Sequence, residues 1–129
     1  MAALTGRNDW RAGAATALDR LDDLMQTHPR FAGWSLSALV AAVAGPTQVA
    51  LVGEAGDPQL IDLRRSAFRE GRCGTVIALG HGQAPVELLA GRPLAREARG
   101  YVCRDFTCAL PVTRDDDLTD QLAAQPSSR

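Results

Sequence analysis

The chain has 129 residues, 46% of them hydrophobic and 22% charged, with a formal net charge of −1. That length supports one modest core, and that composition belongs to a globular domain and not to a disordered or fibrous chain. The near-neutral charge, with no basic stripe interleaved with aromatics, excludes an ordinary nucleic-acid surface.

All 14 basic residues are arginine, which reads as compositional bias, and Arg64-Arg65 reads as a solvated helix face. The start, Met1 to Arg7, lacks the charged lead and apolar core of a secretory leader. Three cysteines without such a leader fit a reducing compartment, so a cytoplasmic location is expected. Residues 31–53 carry no charge and are long enough to span a bilayer. Gly45-Pro46 divides the run into an Ala/Leu-rich half and a Val-rich half, so a helix followed by a buried strand is expected, with no membrane partner.

Asn8 or Asp9 can cap a first helix that runs to His28-Pro29, because the residue before proline avoids helical geometry. Trp10, Ala14, Ala17, Leu18, Leu21, Leu24 and Met25 recur at three- and four-residue steps, which predicts one buried face. The link Pro29 to Gly33 leads into a second helix ending at Ala44, with Leu36, Leu39, Val40 and Val43 as its buried stripe and Gly45 as its stop. A short link predicts that the two helices pack antiparallel.

Beyond Pro46 the period changes. Val49 to Val52 is a continuous apolar run, as in a strand covered on both faces. Asp57-Pro58 is a cap followed by proline at the first helical position, and Leu60, Ile61, Leu63, Ala67 and Phe68 form the stripe of the helix that follows, up to Gly71. Thr75 to Leu79 is a second buried strand. This strand-helix-strand unit predicts a parallel pair. A short helical piece follows near Val86 to Leu89, and then a third strand at Tyr101. The predicted fold class is therefore α/β: a helix pair over residues 1–45, then over residues 46–124 a small, mainly parallel three-stranded sheet with flanking helices. Residues 125–129 read as a disordered tail.

The run Gly100-Tyr101-Val102-Cys103-Arg104-Asp105-Phe106-Thr107-Cys108-Ala109-Leu110-Pro111-Val112-Thr113 concentrates the chemistry. Pro111 ends regular pairing, and Thr113 can cap a last helix whose first turn holds Asp115, Asp116 and Asp117. Cys103 and Cys108 read either as a redox pair or half of a metal site, or as two small buried apolar groups. Their spacing is neither Cys-x-x-Cys nor that of a zinc ribbon, which favours the buried pair of thiols.

This run resembles the C-terminal signature of the YyaL-type thioredoxin-domain-containing proteins, bacterial relatives of spermatogenesis-associated protein 20. Their closing segment is similar to A-Y-V-C-x-x-F-x-C-x-x-P-x-T, with Gly100 here in place of the first alanine. Pro46 to Gly53 looks like the family's proline-led strand, and Pro29 to Trp34 like the link before the preceding helix. The resemblance implies a non-catalytic C-terminal domain. Its expected partners are the helical toroid and thioredoxin-like domain of a parent or partner protein, or a second copy of itself. The parent architecture is similar to sugar epimerases and glycoside hydrolases, which implies carbohydrate metabolism at family level. The thioredoxin-type active site would lie outside this stretch, so no catalytic residue is carried over.

Read from the residues alone, the ends of the first two strands are candidate ligand sites, because ligands sit beyond the carboxyl ends of strands in open sheets. They are Gly53, Glu54 and Gly56, and Gly80, His81 and Gly82. Neither is a dinucleotide fingerprint, and tight turns are the simpler reading. His81 has no nucleophile tied to it by spacing. Cys73, Cys103, Cys108 and His81 are too irregularly spaced for a zinc site, so no metal and no cofactor are expected. His28 reads as a last-turn residue facing a helix dipole.

Overall fold

The computed structural model describes residues 1–80 and 86–124. Its elements in chain order are α1 (Ala2–Thr5), α2 (Asn8–Asp19), α3 (Asp22–Thr27), a 3-10 turn (Pro29–Phe31), α4 (Gly33–Ala44), β1 (Thr47–Val52), α5 (Pro58–Glu70), β2 (Val76–Gly80), a 3-10 turn (Glu87–Leu89), β3 (Arg99–Arg104), β4 (Thr107–Cys108) and α6 (Asp115–Ala123). The predicted tail, residues 125–129, and His81 and Gly82 lie outside the described residues.

The α/β class stands, but the sheet differs from the predicted one. It has four strands in the order β2-β1-β3-β4. β1 and β2 are parallel, with Gln48 opposite Val76 and Val52 opposite Gly80. β3 runs antiparallel to β1, and β4 antiparallel to β3. The sheet is therefore mixed and not mainly parallel. The physical reason lies in the connection before β3. Among its described residues it carries one 3-10 turn and no α-helix, whereas the crossover that returns a strand in parallel is usually helical.

Alternation along β1 divides the core between two faces. Val49 and Leu51 join Leu60, Leu63 and Ala67 of α5 and Leu118 and Leu122 of α6. Ala50 and Val52 join Ala78, Leu88, Leu89 and Cys103 on the other face, with Leu4 of α1 and Phe106 packed against them. Helix α5 begins as read: the Asp57 side chain accepts from the Gln59 backbone N–H at 2.9 Å, and Pro58 opens the first turn. Helix α6 begins differently. Arg114, not Thr113, holds its cap position, without a side-chain cap bond. The Thr113 carbonyl instead accepts from Gln59 Nε2 at 2.6 Å.

The N-terminal region departs furthest from expectation. The first helix is broken between Asp19 and Asp22. α2 contributes no buried residue, and of the predicted stripe only Met25 is buried. Helix α4 is inverted relative to the reading. Its small-residue side meets the body: a Cβ on Gly74, which has φ +88°, would lie 2.5 Å from Ala41 Cβ, and the Cys73 thiol faces the Ser37 carbonyl at 3.7 Å. Leu39, Val40 and Val43 of the predicted buried stripe are exposed. A small side chain lets two backbones approach closely, and here that close approach carries the bulky stripe outward.

Candidate functional site

The hairpin β3–β4 brings Cys103 and Cys108 together. Its loop is the two residues Asp105 and Phe106, at φ 47° and 61°. Two successive left-handed residues are the pattern of a type I′ turn, whose twist matches that of the flanking strands. A bulky residue there is uncommon. Phe106 is held by packing against the second core face and by its backbone N–H, which donates to Gln48 Oε1 at 2.9 Å.

A two-residue turn sets residues five apart directly opposite, and Cys103 faces Cys108 across the strands. The two are joined in a disulfide, with Cα atoms 3.9 Å apart. The reading of two separate buried thiols is corrected here. The signal is their separation of five, which matches a tight hairpin, but the turn lacks the asparagine-glycine or aspartate-glycine pair that normally announces one. Cys73 is a free, exposed thiol.

Arg92 is the functional-site residue that sequence reasoning missed. Its Nη2 lies 2.9 Å from Cys108 Sγ and 3.6 Å from Cys103 Sγ. The guanidinium stacks over the Tyr101 ring at 5.0 Å, while Nη1 donates to the Leu88 carbonyl, and to the Ala90 carbonyl at 3.3 Å. Its Nε is buried without a hydrogen-bond partner, and no ion pair among the described residues gives it a carboxylate. Cys103 is fully buried, whereas Cys108 is half-buried. The two sulfurs thus differ in access and share one cation.

The ends of β1 and β2 do lie together, because Val52 pairs with Gly80 in parallel register. Among the described residues, that end is closed by packing. Gly53 is buried, and a Cβ there would lie 3.0 Å from Ala98 Cβ, so this glycine admits the loop before β3. Glu54 and Gly56 are exposed, and Gly56 takes φ +89° with open space around it, as a tight turn requires. Asp57 is engaged as the α5 cap. His81 and Gly82 are outside the described residues. Among the described residues no three metal-ligating side chains come together, and no helix is long and apolar enough to cross a membrane.

The third candidate is a surface. Phe31, Trp34, Val40 and Val43 are exposed along the 3-10 turn and α4, with Trp34 92% and Val43 82% accessible. α4 contains no buried residue.

Comparison with protein-family models, with curated proteins and with solved structures finds no match.

Proposed function

We propose that this chain is a non-catalytic structural and interaction domain that docks through α4 onto a helical partner. The resemblance of its closing segment makes that partner the helical toroid of a YyaL-type thioredoxin-domain protein, in the cytoplasm. The observation that carries the reading is the bare stripe Leu39, Val40 and Val43 with Trp34 and Phe31 beside it. An aromatic side chain contributes about 150–250 Å² on burial, and a specific interface needs about 800 Å² from each partner. Two exposed aromatics and the aliphatic stripe supply most of that area. Such a helix, apolar along its outer side, normally lies inside a larger assembly.

The test mixes the purified chain with a separately expressed toroid of such a protein and measures mass by light scattering. The expected result is a one-to-one complex that Val40→Glu with Val43→Glu abolishes while the chain stays folded. Failure to bind, or binding that survives the double substitution, overturns the reading. A dimer of the chain alone that the same substitutions dissolve assigns the stripe to a second copy instead.

A further inference from the structure

We propose that Cys103 and Cys108 form a reversible thiol–disulfide exchange site, with Cys108 as the entry sulfur, Cys103 as the resolving sulfur and Arg92 as the cation that stabilises the Cys108 thiolate. The exchange partner is a low-molecular-mass thiol–disulfide couple of the glutathione type. This goes beyond the docking role and does not depend on it.

Three features converge on this assignment. The first is access: an incoming sulfur can reach half-buried Cys108, whereas Cys103 is fully buried. The second is charge. Arg92 places Nη2 2.9 Å from Cys108 Sγ, yet a neutral disulfide gives a guanidinium little to bind. A cation held part-buried without a carboxylate is costly. Reduction creates the missing anion, and a positive neighbour is what lowers a thiol's pKa and makes it reactive. The third is position. β4 is the last strand on its side of the sheet, so attack at Cys108 disturbs no further strand.

The charged and titratable groups around the pair are few. Arg92 touches both sulfurs, Tyr101 lies beneath Arg92, and Arg104 and Asp105 follow Cys103 in the hairpin, with Asp105 ion-paired to Arg11. Glu87 opens the 3-10 turn that packs on this face. No hydrogen bond among the described residues brings a carboxylate to either sulfur.

In the oxidising direction the Cys108 thiolate attacks one sulfur of a disulfide R–S–S–R. The R–S–S–R bond breaks, a mixed disulfide forms at Cys108, and the departing RS⁻ takes a proton from water. Cys103 then loses its proton to water and attacks Cys108 Sγ. The protein disulfide forms and the second RS⁻ leaves. Two electrons pass from the protein dithiol to the small disulfide, and excess small thiol runs the sequence backwards.

The test uses the whole chain in a Cys73→Ser background, so that the exposed third thiol does not contribute. In the reduced chain, Cys103→Ala should trap glutathione from glutathione disulfide on Cys108, located by mass spectrometry. Cys108→Ala should leave Cys103 essentially unreacted. With Cys108 alone, Arg92→Met should slow the reaction at pH 7 about threefold to tenfold and move its half-maximal pH upward. A fall in thiol pKa raises the thiolate fraction but lowers its nucleophilicity by about half as much on a logarithmic scale. Arg92→Lys should retain most of the native rate. Faster capture at Cys103, or equal rates for native and Arg92→Met chains, overturns the assignment. So does a disulfide that millimolar glutathione leaves oxidised.

Discussion

The buried side chain of Gln48 spans from Ala3 to Phe106: its Nε2 donates to the Ala3 carbonyl at 2.6 Å, and its Oε1 accepts from the Phe106 backbone N–H at 2.9 Å. One strand residue thus fixes both the N-terminal turn and the hairpin loop that aligns the cysteines. Gln48 has no exposed surface, so its partners cannot all turn to water. Gln48→Leu should lower stability by about 2 kcal/mol, because a buried donor or acceptor left alone costs about 1–3 kcal/mol. Thermal unfolding should show a Tm lower by roughly 8 °C. A change of under a degree would mean that these bonds exchange with water in solution.

Gly74 and Gly56 make a controlled pair. Both have left-handed backbones, at φ +88° and +89°. A methyl added at Gly56 meets nothing within 4 Å, while one added at Gly74 lies 2.5 Å from Ala41 Cβ. Gly56→Ala should therefore cost about 1 kcal/mol, from backbone conformation alone. Gly74→Ala should cost about 2–4 kcal/mol, since overlap with α4 adds to that conformational cost. Denaturant unfolding of the two variants checks the ordering, and equal losses would show that α4 is not seated on Gly74.

Gln59 holds two loops at once. Its Nε2 donates to the Thr113 carbonyl at 2.6 Å, and its Oε1 accepts from the Ala98 N–H at 3.2 Å. Gln59→Ala should destabilise the domain by about 1–3 kcal/mol. It should also speed amide exchange at Ala98, before β3. Unchanged exchange there would place the restraint on that loop elsewhere.

Asp9 is the carboxylate whose environment predicts a pH effect. Hydrogen bonds from Arg7, at 3.1 Å and 2.5 Å, hold its carboxyl below the ordinary carboxylate value, chiefly through the Arg7 side chain. A depressed folded-state value means that the pair's contribution is present above the unfolded pKa and fades as pH falls through the folded one. Asp9 lies on the surface, paired with an exposed arginine, so the effect on stability is small. A carbon-detected titration of the Asp9 carboxyl should show its midpoint rise in Arg7→Gln. An unmoved midpoint would mean that the two side chains do not stay paired.

The strand-helix-strand unit is legible in the sequence because each local signal agrees: the two apolar runs, Asp57-Pro58 and the terminating Gly71 all point one way, although the second run, read as buried, forms an edge strand with Leu79 exposed. The direction of β3 is hidden because it depends on the connection from β2, whose described residues hold no crossover helix. The hairpin is hidden because Phe106 is held left-handed by Gln48 and core packing, not by its own propensity. The apolar stripe of α4 is visible as a stripe, but periodicity reports which residues share a face and not which face the body covers. Arg92 leaves no trace in the sequence: an arginine sixteen residues before Cys108 has no motif, and only the folded loop carries it to the sulfurs.

The two margins of the sheet are unequal. Beyond Cys108 the chain reaches Val112, which bridges back to Gly100. Two residues of β3, Tyr101 and Val102, therefore oppose three, Ala109, Leu110 and Pro111. That extra residue is a bulge, and the proline within it offers no N–H. That interrupts the regular ladder a strand from another molecule would extend on that side. The opposite margin, β2, has no such device among the described residues. Were two copies to pair through β2, the far margin of each would carry the bulge and its proline, so the pair would present no regular edge for a third chain.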